Sequence, residues 1–172
     1  LCPDLTRFRS GDGGATGARR GSKDAGLRVQ YGGRRVQLRA GDLAHARHVR
    51  PLQARRFGDP VLRITCRAVT EFDEGLERLV VDLVDTCRLP GRAGVAAPQF
   101  GVDLRVFAYN VDDQEGYVIN PVLVHTERIQ EGDEGCLSVP GIRLPTPRAF
   151  RAVVTGVNLD GDAVEVDGTD LL

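Results

Sequence analysis
Seven apolar residues, Phe72, Leu76, Leu79, Val80, Leu83, Val84 and Cys87, recur at spacings of mostly three and four. That period puts them on one face of a helix, which must bury the face against another element. Thr70-Glu71-Phe72-Asp73 supplies a hydroxyl cap and acids for the first turn, where the helix dipole favours them. Pro90-Gly91 ends the helix. Beyond Gly91 the chain reads mainly as strands. Residues 94–97 predict a short extended segment of small side chains, 104–109 a buried strand, and 117–120 and 122–130 two strands broken by Pro121. Residues 152–158 and 163–166 alternate around Asp160-Gly161, a strong hairpin signal. Pro140-Gly141 and Pro145-Thr146-Pro147 predict a stiff loop, and residues 167–172 a turn followed by a helix start.

With 172 residues the chain is long enough for one domain with a real core. The net charge of -1 conceals a split: residues 1–58 carry 13 Lys and Arg against 4 Asp, whereas residues 59–172 carry 10 basic against 20 acidic. Such asymmetry marks either a basic arm for nucleic acid or an acidic partner, or unlike origins for the two parts. Residues 1–50 are rich in Gly and Arg, with too few large apolar side chains to offset the entropy of ordering, and read as a basic extension without fixed structure. Within it, residues 29–38 carry a hairpin pattern across Gly32-Gly33. An RNA-binding arm is one reading of its arginines. Only Phe8, between Arg7 and Arg9, and Tyr31 stand among them as candidate stacking platforms, too few to interleave with the arginines throughout, which favours a solvated extension. No apolar run reaches bilayer length and no secretory signal opens the chain, so a soluble cytoplasmic protein without a membrane partner is expected. Cys2, Cys66, Cys87 and Cys136 show no C-x-x-C spacing, which fits free thiols.

Two stretches carry chemistry. Residues 132–141 read G-D-E-G-C-L-S-V-P-G, with Cys136 just before a proline turn. A thiolate there can hold a metal; alone, it is as easily a small core residue. Residues 92–99 read R-A-G-V-A-A-P-Q, small residues that permit close backbone approach and then an amide side chain. Ligand backbone could pair along this segment. His45 and His48 stand three apart with no glutamate between them, unlike a helical zinc pair, and read as surface residues. His125, inside a strand pattern with Leu123, Glu127 and Ile129, reads as a surface or satisfied histidine.

Together the two stretches resemble the peptide deformylase family, which carries G-x-G-x-A-A-x-Q, E-G-C-x-S and H-E-x-x-H motifs. Residues 94–99 match the first, with Arg92 in place of its first glycine, and residues 134–138 match the second completely; the third is absent from the sequence. Residues 57–63, F-G-D-P-V-L-R, look like the opening of such domains. The resemblance implies an α+β domain over residues 51–172, with antiparallel or mixed sheets packed around helices and the central metal-binding helix missing. It implies a hydrolase of protein biosynthesis that removes the formyl group from N-terminal formylmethionine of nascent proteins, with the ribosome as a further candidate partner and DNA not expected. Cys136 would be one ligand of a divalent metal, iron first, with zinc or nickel as alternatives. Gln99 and the Leu137 amide would donate to the oxyanion. Ala93 and Gly94 would line the cleft, Glu134 would brace the loop bearing the ligand, and Arg143 would meet a peptide carboxylate or carbonyl. Arg148 is expected to pair with Glu134 or solvent.

The family's H-E-x-x-H helix would come directly after Leu172. The expectation is a truncated deformylase, inactive as written, with apolar sheet faces left uncovered. The alternative is a non-catalytic, deformylase-like domain that binds peptides or the ribosome.

Overall fold
The structure is a computed structural model that describes residues 28–31, 52–111 and 114–169. Its elements are β1 (Arg28–Tyr31), α1 (Glu74–Cys87), β2 (Gly94–Ala96), β3 (Val106–Val111), β4 (Gln114–Cys136), β5 (Val139–Val157) and β6 (Ala163–Thr169). The six strands form one sheet in the order β1-β6-β5-β4-β3-β2, every neighbouring pair antiparallel. One helix on such a sheet makes the domain α+β.

The helix starts later than its sequence suggests. Asp73, not Thr70, is the cap, its Oδ1 accepting the Leu76 amide at 2.9 Å, and Phe72 stays 44% exposed ahead of the first turn. Leu76, Val80, Leu83, Val84 and Cys87 are buried as the stripe requires. They pack on Val95, Ala97, Phe100, Val106, Ala108, Tyr117 and Ile119. Strand alternation sends Tyr109 and Val118 to the other face, into a smaller cluster with Val164 and Val166. The sheet is therefore two-sided where it is widest. Gly156 lets β5 approach β4 here: a Cβ on it would stand 2.4 Å from Val118 Cγ1.

Pro121 bends the chain but does not break it. The two expected strands are one, with a register shift between Ile119 and Val122 and Asn120 in the left-handed region at φ 53°. Asn120 tolerates that conformation better than most residues and uses it. Its Oδ1 accepts the Val69 amide at 2.8 Å, and its Nδ2 donates to the Val69 carbonyl at 2.9 Å. This clamps the segment before α1 onto the sheet. A second shift, between Leu123 and His125, breaks the alternation that would have aligned those two side chains.

The stiff loop expected at residues 140–147 is instead part of β5. It pairs with β4 with Pro145 opposite Asp133 and Pro147 opposite Glu131. Two prolines at alternate positions put their missing N–H groups on one edge, and the intact ladder requires that edge to face away from β4. Among the described residues β6 pairs only with residues 151–157 of β5, so residues 129–149 of the β4–β5 hairpin extend as a two-stranded arm. Val122, Val124, Ile129, Ile142 and Leu144, on or at the base of this arm, are half or more exposed.

The Asp160-Gly161 turn joins β5 and β6 as expected. Asn158 clamps it, its Oδ1 accepting the Asp160 and Asp162 amides. Asp167 and Gly168 lie inside β6, not in a turn, and residues 170–172 lie outside the described residues. At the far edge, β1 pairs with β6, Val29 opposite Val166. The second arm of the hairpin expected at 29–38, and the rest of the first fifty residues, lie outside the described residues.

Asn120→Ala removes both bonds to Val69 and leaves a strained φ, and should cost about 2 to 4 kcal/mol by urea unfolding. Arg88, at the end of α1, holds both oxygens of Glu115 on β4 at 2.7 and 2.6 Å. That guanidinium holds the Glu115 carboxyl below its usual range. Its contribution is therefore complete above the unfolded glutamate pKa of about 4.3 and is lost as pH falls through the lower folded value. The gap in unfolding midpoint between the parent and Glu115→Gln should be constant from pH 5 to 8 and close below about pH 4.

Candidate active site at the hairpin turn and the sheet edge
β2 is an edge strand, paired with β3 on one side only among the described residues. The alternation from Val95 through the buried Ala97 and Pro98 drives the chain directly into a 3-10 turn, Ala97–Phe100. Gln99 stands in this turn, and its Oε1 accepts the Ala96 amide at 2.7 Å. Because Ala96 N–H can only donate, the orientation of the Gln99 amide is fixed, and its NH2 group is turned away as a donor. Gly94 lies exposed on the edge strand opposite Tyr109, and the Ala93 carbonyl accepts the Asn110 amide at 2.9 Å.

Cys136 is the last residue of β4 and pairs with Val139, so Leu137 and Ser138 form the two-residue turn of the long hairpin. Cys136 is a part-exposed free thiol. The Leu137 side chain packs against the core cluster under α1, which pins the turn. Ser138 is 6% exposed, and its buried Oγ has no hydrogen-bond partner among the described residues.

Upstream motif and turn are tied together by one leading segment. Leu52 N–H donates to Thr86 Oγ1 at 3.1 Å, Arg55 N–H to the Gln99 carbonyl at 2.7 Å, and Phe57 N–H to the Ser138 carbonyl at 2.9 Å. Two residues of extended chain span at most about 7 Å, so the Gln99 and Ser138 carbonyls lie within roughly 13 Å of each other. The two motifs, about forty residues apart in sequence, thus share one locality.

Glu134 accepts Arg148 Nε at 2.6 Å and Nη2 at 2.7 Å, a bidentate pair across the arm. Both carboxylate oxygens are engaged, so Glu134 braces the hairpin, and Arg148 pairs with it as expected. Arg143 lies opposite Gly135, one residue from Cys136; it is exposed and reaches the Asp133 carbonyl at 3.3 Å.

The remaining thiols and histidines divide by environment. Cys87 is 1% exposed on the α1 stripe, and burial pushes its thiol up to about 11. Cys66 is part-buried, its thiol raised by burial first and the Asp103 carboxylate second. His125 is a surface residue, 2.9 Å from Glu127, which also meets Arg151. His45, His48 and Cys2 lie outside the described residues. Among the described residues no three His, Cys, Asp or Glu side chains gather as a metal site. A catalytic divalent cation takes three protein ligands and a water, so Cys136 alone does not fit one. The sequence pointed to the motif residues themselves. It held no sign of the Arg55 and Phe57 backbone bonds or of the buried Ser138, whose only trace was its fixed place in E-G-C-x-S.

At pH 8 a thiol titrating near 11 is thiolate in about one molecule in a thousand. Iodoacetamide should therefore leave Cys87 untouched until denaturant is added, while reaching the part-exposed Cys136 in the native protein, as peptide mass mapping would show. Early labelling at Cys87 would overturn its assignment as a core residue.

The polypeptide deformylase family profile matches residues 51–172. A peptide deformylase of Acidothermus cellulolyticus is 51% identical over 124 residues, covering 72% of this chain and 68% of that one. Peptide deformylase 2 of Streptomyces avermitilis is 44% identical over 139 residues, covering 77% and 74%. The crystal structure of peptide deformylase from Thermotoga maritima superposes with a TM-score of 0.66 at 34% identity, over 73% of this chain and 84% of that one. With the profile matched over residues 51–172 and relatives this similar, the chain belongs to the peptide deformylase family.

Proposed function
We propose that the cleft between β2 and the Cys136 turn receives the N-formylated end of a new protein chain and that its residues are those of amide hydrolysis. The observation that carries this reading is the leading segment, which bonds to the Gln99 and Ser138 carbonyls two residues apart. The open edge of β2 offers backbone groups to an extended peptide, and Gly94 lets it approach closely. Arg143, exposed beside the turn, meets a downstream peptide carbonyl or carboxylate. The Gln99 NH2 group and the Leu137 amide donate to the formyl oxygen as charge builds there. Each such donor is typically worth about 3 kcal/mol in the transition state.

The family is metal-dependent, and Cys136 is the side chain this chain offers to a divalent cation, with iron ahead of zinc and nickel. The described residues do not complete that shell. The sequence holds three histidines, His45, His48 and His125, none of them in H-E-x-x-H. Peptide binding and hydrolysis therefore separate in this chain. The cytoplasm, where new chains carry formylmethionine, is the proposed place of action.

The purified 172-residue chain, supplied with ferrous iron or nickel, should release formate from formyl-Met-Ala-Ser at least about a hundredfold more slowly than the Acidothermus relative assayed beside it. In amide NMR spectra the same peptide should shift residues 94–96 and Leu137. Turnover at the relative's rate with stoichiometric metal would overturn the inactivity, and shifts confined to other surfaces would overturn the cleft. Shifts in the cleft without turnover would identify a peptide-binding, deformylase-like domain.

A further inference from the structure
The leading segment carries a surface of its own besides its backbone bonds to the site. Residues 53–57 and Asp59 line a shallow hollow of about 480 Å³, with Arg55, Arg56 and Phe57 on its walls. Phe57 is 55% exposed although it is aromatic, and Arg63 lies over its ring at 5.4 Å. Asp59 is the one acid between residues 53 and 63. It is already engaged, accepting the Val61 amide at 3.1 Å and standing 3.8 Å from Arg55 Nη1. Among the described residues neither Arg56 nor Arg63 has a carboxylate within ion-pair distance. Among the described residues Arg56 and Arg63 therefore leave the patch with uncompensated positive charge around an exposed ring. It is the described end of the basic half of the chain, in which 13 Lys and Arg face 4 Asp over residues 1–58.

A solvated charged loop does not require an aromatic ring in its midst. Phosphate groups account for the arginines, and a planar group that can stack accounts for Phe57; an unpaired nucleotide supplies both. A duplex offers the phosphates but keeps its bases stacked on one another. An acidic protein offers charge without the planar faces.

We propose that Arg55, Arg56, Phe57 and Arg63 form a binding surface for single-stranded nucleic acid, with the phosphate backbone along the arginines and a base on the Phe57 ring. The proposal does not rest on the deformylase reading, which uses the backbone of this segment and none of these four side chains.

The test is fluorescence anisotropy of a labelled twelve-nucleotide single-stranded RNA with the full chain over a range of salt. A duplex of the same sequence and inorganic polyphosphate serve as competitors. Phe57→Ala should weaken single-strand binding at least about fivefold. Arg56→Ala should flatten the plot of log affinity against log salt by about 0.7. Duplex and polyphosphate should compete poorly. Circular dichroism melting controls for folding, and Arg63→Ala replaces Phe57→Ala should that variant fail to fold. The basic extension is kept in every variant, so any affinity it contributes is common to all. No binding, equal competition by polyphosphate, or affinity indifferent to Arg56→Ala and to whichever of Phe57→Ala and Arg63→Ala folds would overturn the proposal. An acidic protein or the basic extension alone would then be the explanation of the charge.

Discussion
Three backbone N–H groups of one irregular segment, those of Leu52, Arg55 and Phe57, each find an acceptor on a different part of the domain: the last turn of α1, the 3-10 turn after β2, and the turn between β4 and β5. Part-buried amides need partners, and leaving one unmade costs about 1 to 3 kcal/mol. Each bond therefore fixes a distance as well as adding stability. The segment acts as a ruler laid across the site. Thr86 can serve as the first mark because it is buried at the end of a helix whose other buried residues are apolar, and its hydroxyl accepts a donor from outside the helix.

Under that ruler lies the packing of α1 on β2, β3 and β4. The face that holds Ala108, Tyr117 and Ile119 is closed by Leu76, Val80, Leu83 and Val84, and this burial locates β2 at the rim. Small residues at Ala96 and Ala97 let the chain turn immediately after the rim and bring Gln99 round. At the β4–β5 turn the Leu137 side chain reaches into the same core, so the two motifs rest on one hydrophobic cluster. A change in that cluster would be felt at Gln99 and at Leu137 at once.

Much of this was legible in the sequence wherever the governing interaction was local. The helical stripe, the apolar strand runs at 104–109 and 117–120, and the Asp160-Gly161 turn depend on neighbours a few residues away. Asn120 was not legible, because its partner is Val69, fifty-one residues earlier, and nothing near Pro121 announces it. Thr70 and Asp73 are both sound caps, and only the three-dimensional path of the chain decides between them. Residues 140–147 misled for the opposite reason: prolines that signal a loop locally are tolerated at the edge of a strand whose other side is fully paired. In the site, the motif residues could be named from sequence, whereas their common scaffold could not, since backbone N–H groups leave no side-chain signature.

The prolines of β5 have a consequence for how the molecule behaves in company. The β4–β5 arm carries Ile129, Ile142 and Leu144 in the open, a composition that ordinarily invites strands from other molecules to join. Joining requires N–H groups along the free edge, and at Pro145 and Pro147 that edge has none to give. An incoming strand would face two vacant donor positions within three residues and could not build a continuous ladder. Along β5 the arm therefore keeps apolar side chains available for contact while refusing extension through its backbone, which leaves the outer edge of β4, without a proline from 129 to 136, as the side on which a ladder could grow.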